Sequence, residues 1–474
     1  MVTRRDFTKL SLFGVGLGLA NCTQPPPSPN TDATSASDRN DLTIWWEQGF
    51  LPEENEQVTQ VVRNWEQHTG LTVNLKLLPV DLIAEQLSQL VKESDSSRLP
   101  DIIYSVGVDP SLAPQLAWQD KLMDVSDVVL AAQDRYTPVA LAQVSYRNQR
   151  LGERSYYAVP LWQAEDYIHY WRPLIEELGY GPSDVPLEWD AFWQFWRSAQ
   201  IQLRKKSHPD IYGIGLCMSD IGFDTYTCLM MFLDAHNVAV VSDEGELLLP
   251  EPENRRRMIT AVDEYTRFFL EGYVPPAAVS WTGGGNNSSF IAGNVVMTQN
   301  LTLSIPITQK LPPSIYNQDA AERYQQMVTI ERPTKPDGTK LLTRKGIKQA
   351  IVPKACPHPE AAKAFLRYLI EPQNLKQLIT AFKGRVLPVM PQLFEDSLWS
   401  DRTDPHLSVA FKIFQTPGLT PYEVIHSAFS EVQKRQLWAK TVLRVVQDDV
   451  SPAKASDWAI QEIQNIWTQW EQPT

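Results

Sequence analysis

The stretch DLTIWWEQGF, residues 41–50, decides the fold. Leu42, Thr43 and Ile44 begin an apolar, β-branched run of the kind that forms a strand buried on both faces. Trp45 and Trp46 sit where that run gives way to Glu47, Gln48 and Gly49. In open α/β sheets, ligands bind just outside the carboxyl ends of the strands. An aromatic face beside a carboxylate and an amide suits a sugar ring, which is apolar on its flat face and hydroxylated along its edge. Two core tryptophans would leave the same trace in a sequence. Alternation along a strand sends the pair to opposite faces, which makes Trp46, with Glu47 and Gln48 beyond it, the ligand candidate and Trp45 the core residue.

Downstream, Val58, Val61, Val62 and Trp65 recur at helical spacing, and Gly70 suits a C-terminal cap. Leu71, Val73, Leu75 and Leu77 alternate as a second strand that Pro79 ends, and a helix with Leu82, Ile83, Leu87, Leu90 and Val91 follows. Ile102-Ile103-Tyr104-Ser105 makes a third strand, with residues 105–109 as another loop at a carboxyl end. This β-α-β-α-β order predicts an open, mainly parallel sheet with helices on its faces. Further on, residues 156–161 lead through Trp162-Gln163-Ala164 into an aromatic strand at 167–171. Helices are expected around Phe192–Trp196 and over 252–270, and a loop over 277–289 holds Trp281 and Gly283-Gly284-Gly285. A short helical turn, Gly293 and a strand ending at Asn300 come next, then a strand at 347–353 and a helix opening at His358-Pro359. Ser451-Pro452 starts the last helix.

Upstream, Thr3-Arg4-Arg5-Asp6-Phe7 and the apolar residues 10–20, too short to span a bilayer core of roughly 30 Å, resemble a twin-arginine export signal. Leu19-Ala20-Asn21-Cys22 reads as a lipobox with Cys22 as the lipidated residue, although Asn21 stands where Gly or Ala is usual; ordinary cleavage nearby is the alternative. Residues 23–40 are mostly Pro, Ser, Thr, Asp and Asn with almost nothing apolar, a composition that stays extended and reads as a tether. About 430 residues remain, suited to two lobes rather than one core. The net charge of −13 argues against nucleic acid as a partner. With Cys22 lipidated, Cys217, Cys228 and Cys356 are left, and a Cys217–Cys228 bridge stays open.

The lipobox, the aromatics ending the first strand, Leu99-Pro100-Asp101-Ile102 and Tyr157-Ala158-Val159-Pro160-Leu161 occur in that order. Trp189-Asp190-Ala191-Phe192, residues 290–297 (FIAGNVVM) and residues 358–366 (HPEAAKAFL) continue the series. Together they resemble the family 1 extracellular solute-binding proteins of ABC importers, relatives of maltodextrin-binding protein. Tyr170-Trp171-Arg172 and Asn294 depart from that family's pattern. The resemblance implies an α/β, two-lobed periplasmic binding protein-like fold (type II) with its ligand in the interlobe cleft. It implies lobe one over 41–163 plus 347–395 and lobe two over 164–346 plus 396–474, with crossings near 163–166, 343–348 and 396–403. It further implies a monomer outside the cytoplasm, lipid-anchored to a membrane, that binds a small-molecule solute such as a sugar and docks on an ABC permease.

The expected ligand-binding residues are Trp46, Glu47, Gln48, Trp162, Gln163, Trp281, Asn300 and Arg385, the last weighed against a structural ion pair. One stacked ring burying about 100 Å² contributes roughly 2–3 kcal/mol. Glu165 and Asp166 are adjacent, so they point to opposite faces and read as solvated or hinge residues rather than an acid/base pair. No cofactor or metal is implied: the histidines are scattered, and the glycine run lacks the Gly-Lys-Ser/Thr of a phosphate loop. No nucleophile elbow appears, and Ser451-Pro452-Ala453-Lys454 reads as a helix cap rather than a catalytic Ser-x-x-Lys. The chain is expected not to be an enzyme. A cell-envelope polysaccharide hydrolase and a solute sensor uncoupled from transport are the alternatives.

Overall fold

The computed structural model describes residues 41–93, 98–311, 319–395 and 397–471. The export signal, Cys22 and the tether fall outside the described residues. Fourteen strands are present among the described residues. The first seven are β1 (Asp41–Glu47), β2 (Thr72–Leu78), β3 (Ile102–Tyr104), β4 (Ser145–Asn148), β5 (Glu153–Tyr156), β6 (Ala158–Ala164) and β7 (Tyr167–Trp171). The others are β8 (Tyr212–Gly215), β9 (Val295–Asn300), β10 (Met327–Ile330), β11 (Thr343–Arg344), β12 (Gly346–Ile351), β13 (Leu387–Pro388) and β14 (Gly418–Leu419).

Lobe one is built on a six-stranded sheet of order β13-β6-β12-β3-β1-β2. β1 runs parallel to both β2 and β3, with Trp45 opposite Ile103 and Trp46 opposite Tyr104. Ile44, Ile102 and Ile103 are fully buried because helices cover both faces of these central strands, while edge strand β2 buries one face only. The helix Pro52–Thr69 lays Val58, Val61, Val62 and Trp65 on the sheet, and Gly70 ends it at φ 74° by donating its N–H to the Glu66 carbonyl. A mainly parallel sheet is not what forms. β12 pairs antiparallel with β3 and β6, and β13 antiparallel with β6. These strands arrive after the chain has crossed into the second lobe and back, so no βαβ crossover dictates their direction.

Lobe two has a four-stranded sheet of order β10-β7-β9-β8. Its core is packed by helices Trp189–Lys206, Asp224–Ala235, Pro252–Leu270 and Pro452–Glu471. The first core also takes Trp399, Leu407, Ala410 and Ile413, from the segment after residue 396 assigned above to lobe two. The expected loop over 277–289 is largely a 3-10 turn, Pro276–Ser280, followed by the helix Gly285–Ile291. Gly285 permits this, because a Cβ there would stand 2.4 Å from the Trp281 Cβ. Ser451 caps the final helix by accepting from the Lys454 N–H at 3.4 Å. Cys217, Cys228 and Cys356 are buried free thiols.

Candidate functional site: the cleft between the lobes

The chain passes from lobe one to lobe two where β6 ends at Ala164 and β7 begins at Tyr167. Glu165 and Asp166 occupy that step and point apart, as adjacent extended residues must. Glu165 meets Lys345 at 3.2 Å, accepts from the Thr343 hydroxyl at 2.9 Å and from Gln163 Nε2 at 2.6 Å. Asp166 faces Arg332 at 3.7 Å and Gln299 Nε2 at 3.4 Å. Lys345 lies between β11 and β12 on the returning crossing, so the Glu165–Lys345 pair pins the two crossings together. Both acids are buried, which fits the hinge reading and not the solvated one. Burial still holds both carboxyls above their ordinary range, although Lys345 and Arg332 pull them back.

Between the lobes lies a small cavity of about 70 Å³, below the ~300–1,000 Å³ of drug-sized ligand pockets. Lobe one contributes Asp109 from the loop after β3, Tyr146 from β4, and Lys348 and Gln349 from β12. Across from them stand Tyr226 and Asp234 of the helix Asp224–Ala235, Arg344 of β11, and Glu423. Further contacts tie the lobes together to one side of the cavity. Arg154 of β5 donates to the carbonyls of Val424 and Ile425 at 2.9 and 2.6 Å, and Trp118 packs 5.2 Å from His426, which stacks on Trp467.

The cavity's charges are wired unequally. Arg344 holds Asp234 through two contacts of 2.6 and 3.1 Å, donates to the Tyr422 hydroxyl and the Thr420 carbonyl at 2.8 Å, and lies over the Tyr422 ring. Burial disfavours its charge, but Asp234 more than restores it. Asp109 Oδ2 and Glu423 Oε2, by contrast, have no hydrogen-bond partner among the described residues, nor do Gln349 Oε1 and Gln143 Nε2. Burial pushes Asp109 well above the carboxylate range against the pull of Lys348, and it pushes Glu423 up to about 7 against Arg344 and Lys348. Buried polar atoms left unpaired are costly, so this cavity is suited to a guest that supplies hydrogen bonds.

None of the eight residues expected from sequence lines this cavity. Trp46 and Trp162 join Tyr104 and Phe382 in one aromatic cluster, with centroids 4.4 Å (Trp46–Tyr104), 4.6 Å (Tyr104–Trp162) and 4.7 Å (Trp162–Phe382) apart. Trp45 and Trp46 are both only 5 % exposed. Glu47 stands at the end of this cluster and accepts from the Val106 N–H at 2.7 Å and the Ser105 hydroxyl at 3.0 Å. Burial raises its pKa, and Lys348 is among the charges that oppose the rise. Gln48 is exposed. Gln163 serves Glu165, as described above. Trp281 lies in the lobe-two core, and Asn300 donates to the Thr302 carbonyl and the Ser304 hydroxyl. Arg385 pairs with Glu54 at 2.8 Å, the structural role weighed for it.

Tyr146, Tyr226, Asp234 and Glu423 carried no local signal in the sequence. Asp109 and Arg344 lay in a strand-end loop and a crossing already singled out, where a charged residue facing the cleft was legible.

The fold matches solved solute-binding proteins over nearly their whole length. An ABC transporter solute-binding protein from Thermotoga lettingae TMO, solved with α-D-tagatose, aligns with TM-score 0.71 at 19% identity, covering 90% of this chain and 99% of that one. A sugar transporter protein from Arthrobacter chlorophenolicus A6 with laminaribiose aligns with TM-score 0.69 at 16% identity, covering 90% and 99%. A solute-binding protein from Agrobacterium radiobacter K84 with ribitol aligns with TM-score 0.66 at 17% identity, covering 90% and 98%. No curated protein sequence matches the chain. The model of the bacterial extracellular solute-binding protein family matches residues 60–407. With that match across most of its length and a two-lobed α/β fold around a cleft, the chain belongs to the bacterial extracellular solute-binding protein family.

Proposed function

We propose that this chain is the substrate-binding component of an ABC importer and captures a carbohydrate or similar polyhydroxylated solute between its lobes. The observation that carries the reading is the interlobe cavity, which is walled by both lobes and holds buried polar atoms without partners. The sugars and the polyol bound by the similar proteins above support that solute class. Lobe one spans 41–163 plus 347–395, joined in its core by Trp399, Leu407, Ala410 and Ile413, and lobe two takes 164–346 and the remaining C-terminal helices, with the Glu165–Lys345 crossing as the hinge. Solute bound to one lobe gains contacts from the other on closure, and it shifts the equilibrium only by its differential affinity for the closed form. The closed monomer then docks on the permease, held outside the cytoplasm by a lipid on Cys22.

A thermal-shift screen of the mature chain against sugars, polyols, polyamines and peptides tests this. A solute at about 100 times its Kd adds roughly 2.7 kcal/mol of stability. Stabilisation by a sugar or polyol recovered intact is expected. Response to peptides or polyamines alone overturns the solute class, and conversion of an oligosaccharide to products favours a hydrolase.

A further inference from the structure

Four carboxyl groups line the cavity, Asp109, Asp166, Asp234 and Glu423, against three cations, Arg332, Arg344 and Lys348. Two of the cations are already committed, Arg332 to Asp166 and Arg344 to Asp234. That leaves Asp109 and Glu423 to share Lys348, and no ion pair within 4 Å joins Lys348 to either among the described residues. Both carboxyls are only 6 % exposed, and each keeps one oxygen without a partner. Asp109, Glu423, Tyr146 and Lys348 all line this one cavity, where both carboxyls act on Tyr146 and both feel the charge of Lys348. Glu47 on the lobe-one side adds negative charge to Asp109.

A buried carboxylate needs a counter-charge or several donors. A hydroxyl brings one donor and no charge, whereas a protonated amine brings three donors and a full positive charge. The aromatic walls, Phe223, Tyr226 and Tyr146, suit the same guest, since ring faces attract cations and also cover the apolar face of a sugar.

We propose that the solute is a polyhydroxylated molecule bearing a primary amine, an amino sugar or aminocyclitol, whose ammonium compensates Asp109 and Glu423. This rests on the reading of the cleft as a carbohydrate site and narrows it. A neutral sugar entering the same cavity brings no counter-charge, so burial continues to favour the protonated forms of Asp109 and Glu423, whereas an ammonium pairs with their ionised forms.

Titration calorimetry with matched sets tests it: D-glucosamine, D-glucose and N-acetyl-D-glucosamine, cellobiose and its diamino counterpart, and streptamine beside myo-inositol. At least one amine-bearing member is expected to bind ten-fold or more tightly than both its hydroxyl and its N-acetyl partner where each exists. Asp109→Asn and Glu423→Gln, each checked for an unchanged circular dichroism spectrum, should lower that ratio several-fold. N-acetylation keeps the ring and removes the charge, so it separates charge from shape. Neutral members binding as tightly as the amines, or a preference that survives both substitutions together, overturns the amine inference and leaves the carbohydrate reading standing. Failure of every amine-bearing member to bind overturns the inference whatever else binds. If peptides alone bind, the carbohydrate reading falls with it.

Discussion

Glu165 and Glu423 are the same residue type, sealed from solvent to 1 % and 6 % exposure, and they are wired in opposite ways. Glu165, in the crossing, has Lys345 at 3.2 Å, the Thr343 hydroxyl and the Gln163 amide, so both its oxygens are occupied. Glu423, in the cavity wall, has an oxygen with no partner among the described residues. Desolvation acts on both. The protein itself satisfies the first and leaves the second exposed to whatever enters the cleft. The difference separates a group that holds the fold from one that is costly to the empty fold, and such cost is what a ligand can relieve.

The sharpest way to break the comparison is to remove one partner of the crossing pair. Lys345→Met leaves Glu165 buried without its counter-charge, and such a loss costs about 3–5 kcal/mol. Urea unfolding should show it as a lower midpoint. Adding Glu165→Gln, which keeps acceptor and donor functions without the charge, should recover most of the loss. If the single substitution is neutral, the crossing pair is not the anchor described.

Next in size is the opposite outcome at Glu423. Its folded pKa, about 7, lies above an unfolded value near that of a free carboxylate. Such a group stabilises the fold fully below the unfolded value and loses that contribution as pH rises through the folded one. Glu423→Gln should therefore match the parent near pH 4.5 and exceed its stability at pH 8 by up to roughly 3 kcal/mol. The substitution should weaken solute binding at the same time. His169 and His406 work in the other direction. Burial lowers them to about 3 and about 4, so their contribution is present above about 6.5 and lost as pH falls towards those values. Subtracting the variant's curve from the parent's removes their share and isolates Glu423.

How far the comparison was legible beforehand depends on whether a feature is local. β1, β2 and the helix Pro52–Thr69 were readable because two-faced burial and helical spacing are written in neighbouring residues. The direction of β12 was not, because its partners β3 and β6 lie far away in the chain and the path between them passes through the other lobe. The helix Gly285–Ile291 was hidden by glycine and asparagine, which disfavour helix locally; the packing of Trp281 over Gly285 overrides that. Trp45 and Trp46 were separated by strand alternation, yet both are buried, because Tyr104 and Trp162 cover Trp46. Lys348 ends a crossing named from sequence, 343–348. Glu423 sits in a four-residue helix, Tyr422–Ile425, whose place against Tyr146 and Tyr226 only the tertiary fold decides.

The smallest expected effect calibrates the buried crossing pair against a pair in water. Arg255 grips Asp457 through two contacts of 2.6 and 2.8 Å, and both side chains are nearly half exposed. Its contacts are shorter than the 3.2 Å between Glu165 and Lys345, so contact geometry does not favour the buried pair, and the salt dependence of each loss reads its burial. Water and mobile ions screen the exposed pair, whose attraction shrinks when the Debye length falls to about 3 Å near 1 M salt. Asp457→Asn should lower the urea midpoint slightly at low salt and not at all near 1 M. The loss from Lys345→Met should persist across the same salt range, because ions do not reach the crossing. Equal salt sensitivity for both substitutions would mean that water enters the hinge, and Glu165 would then no longer differ from Glu423 in the way the buried pair implies.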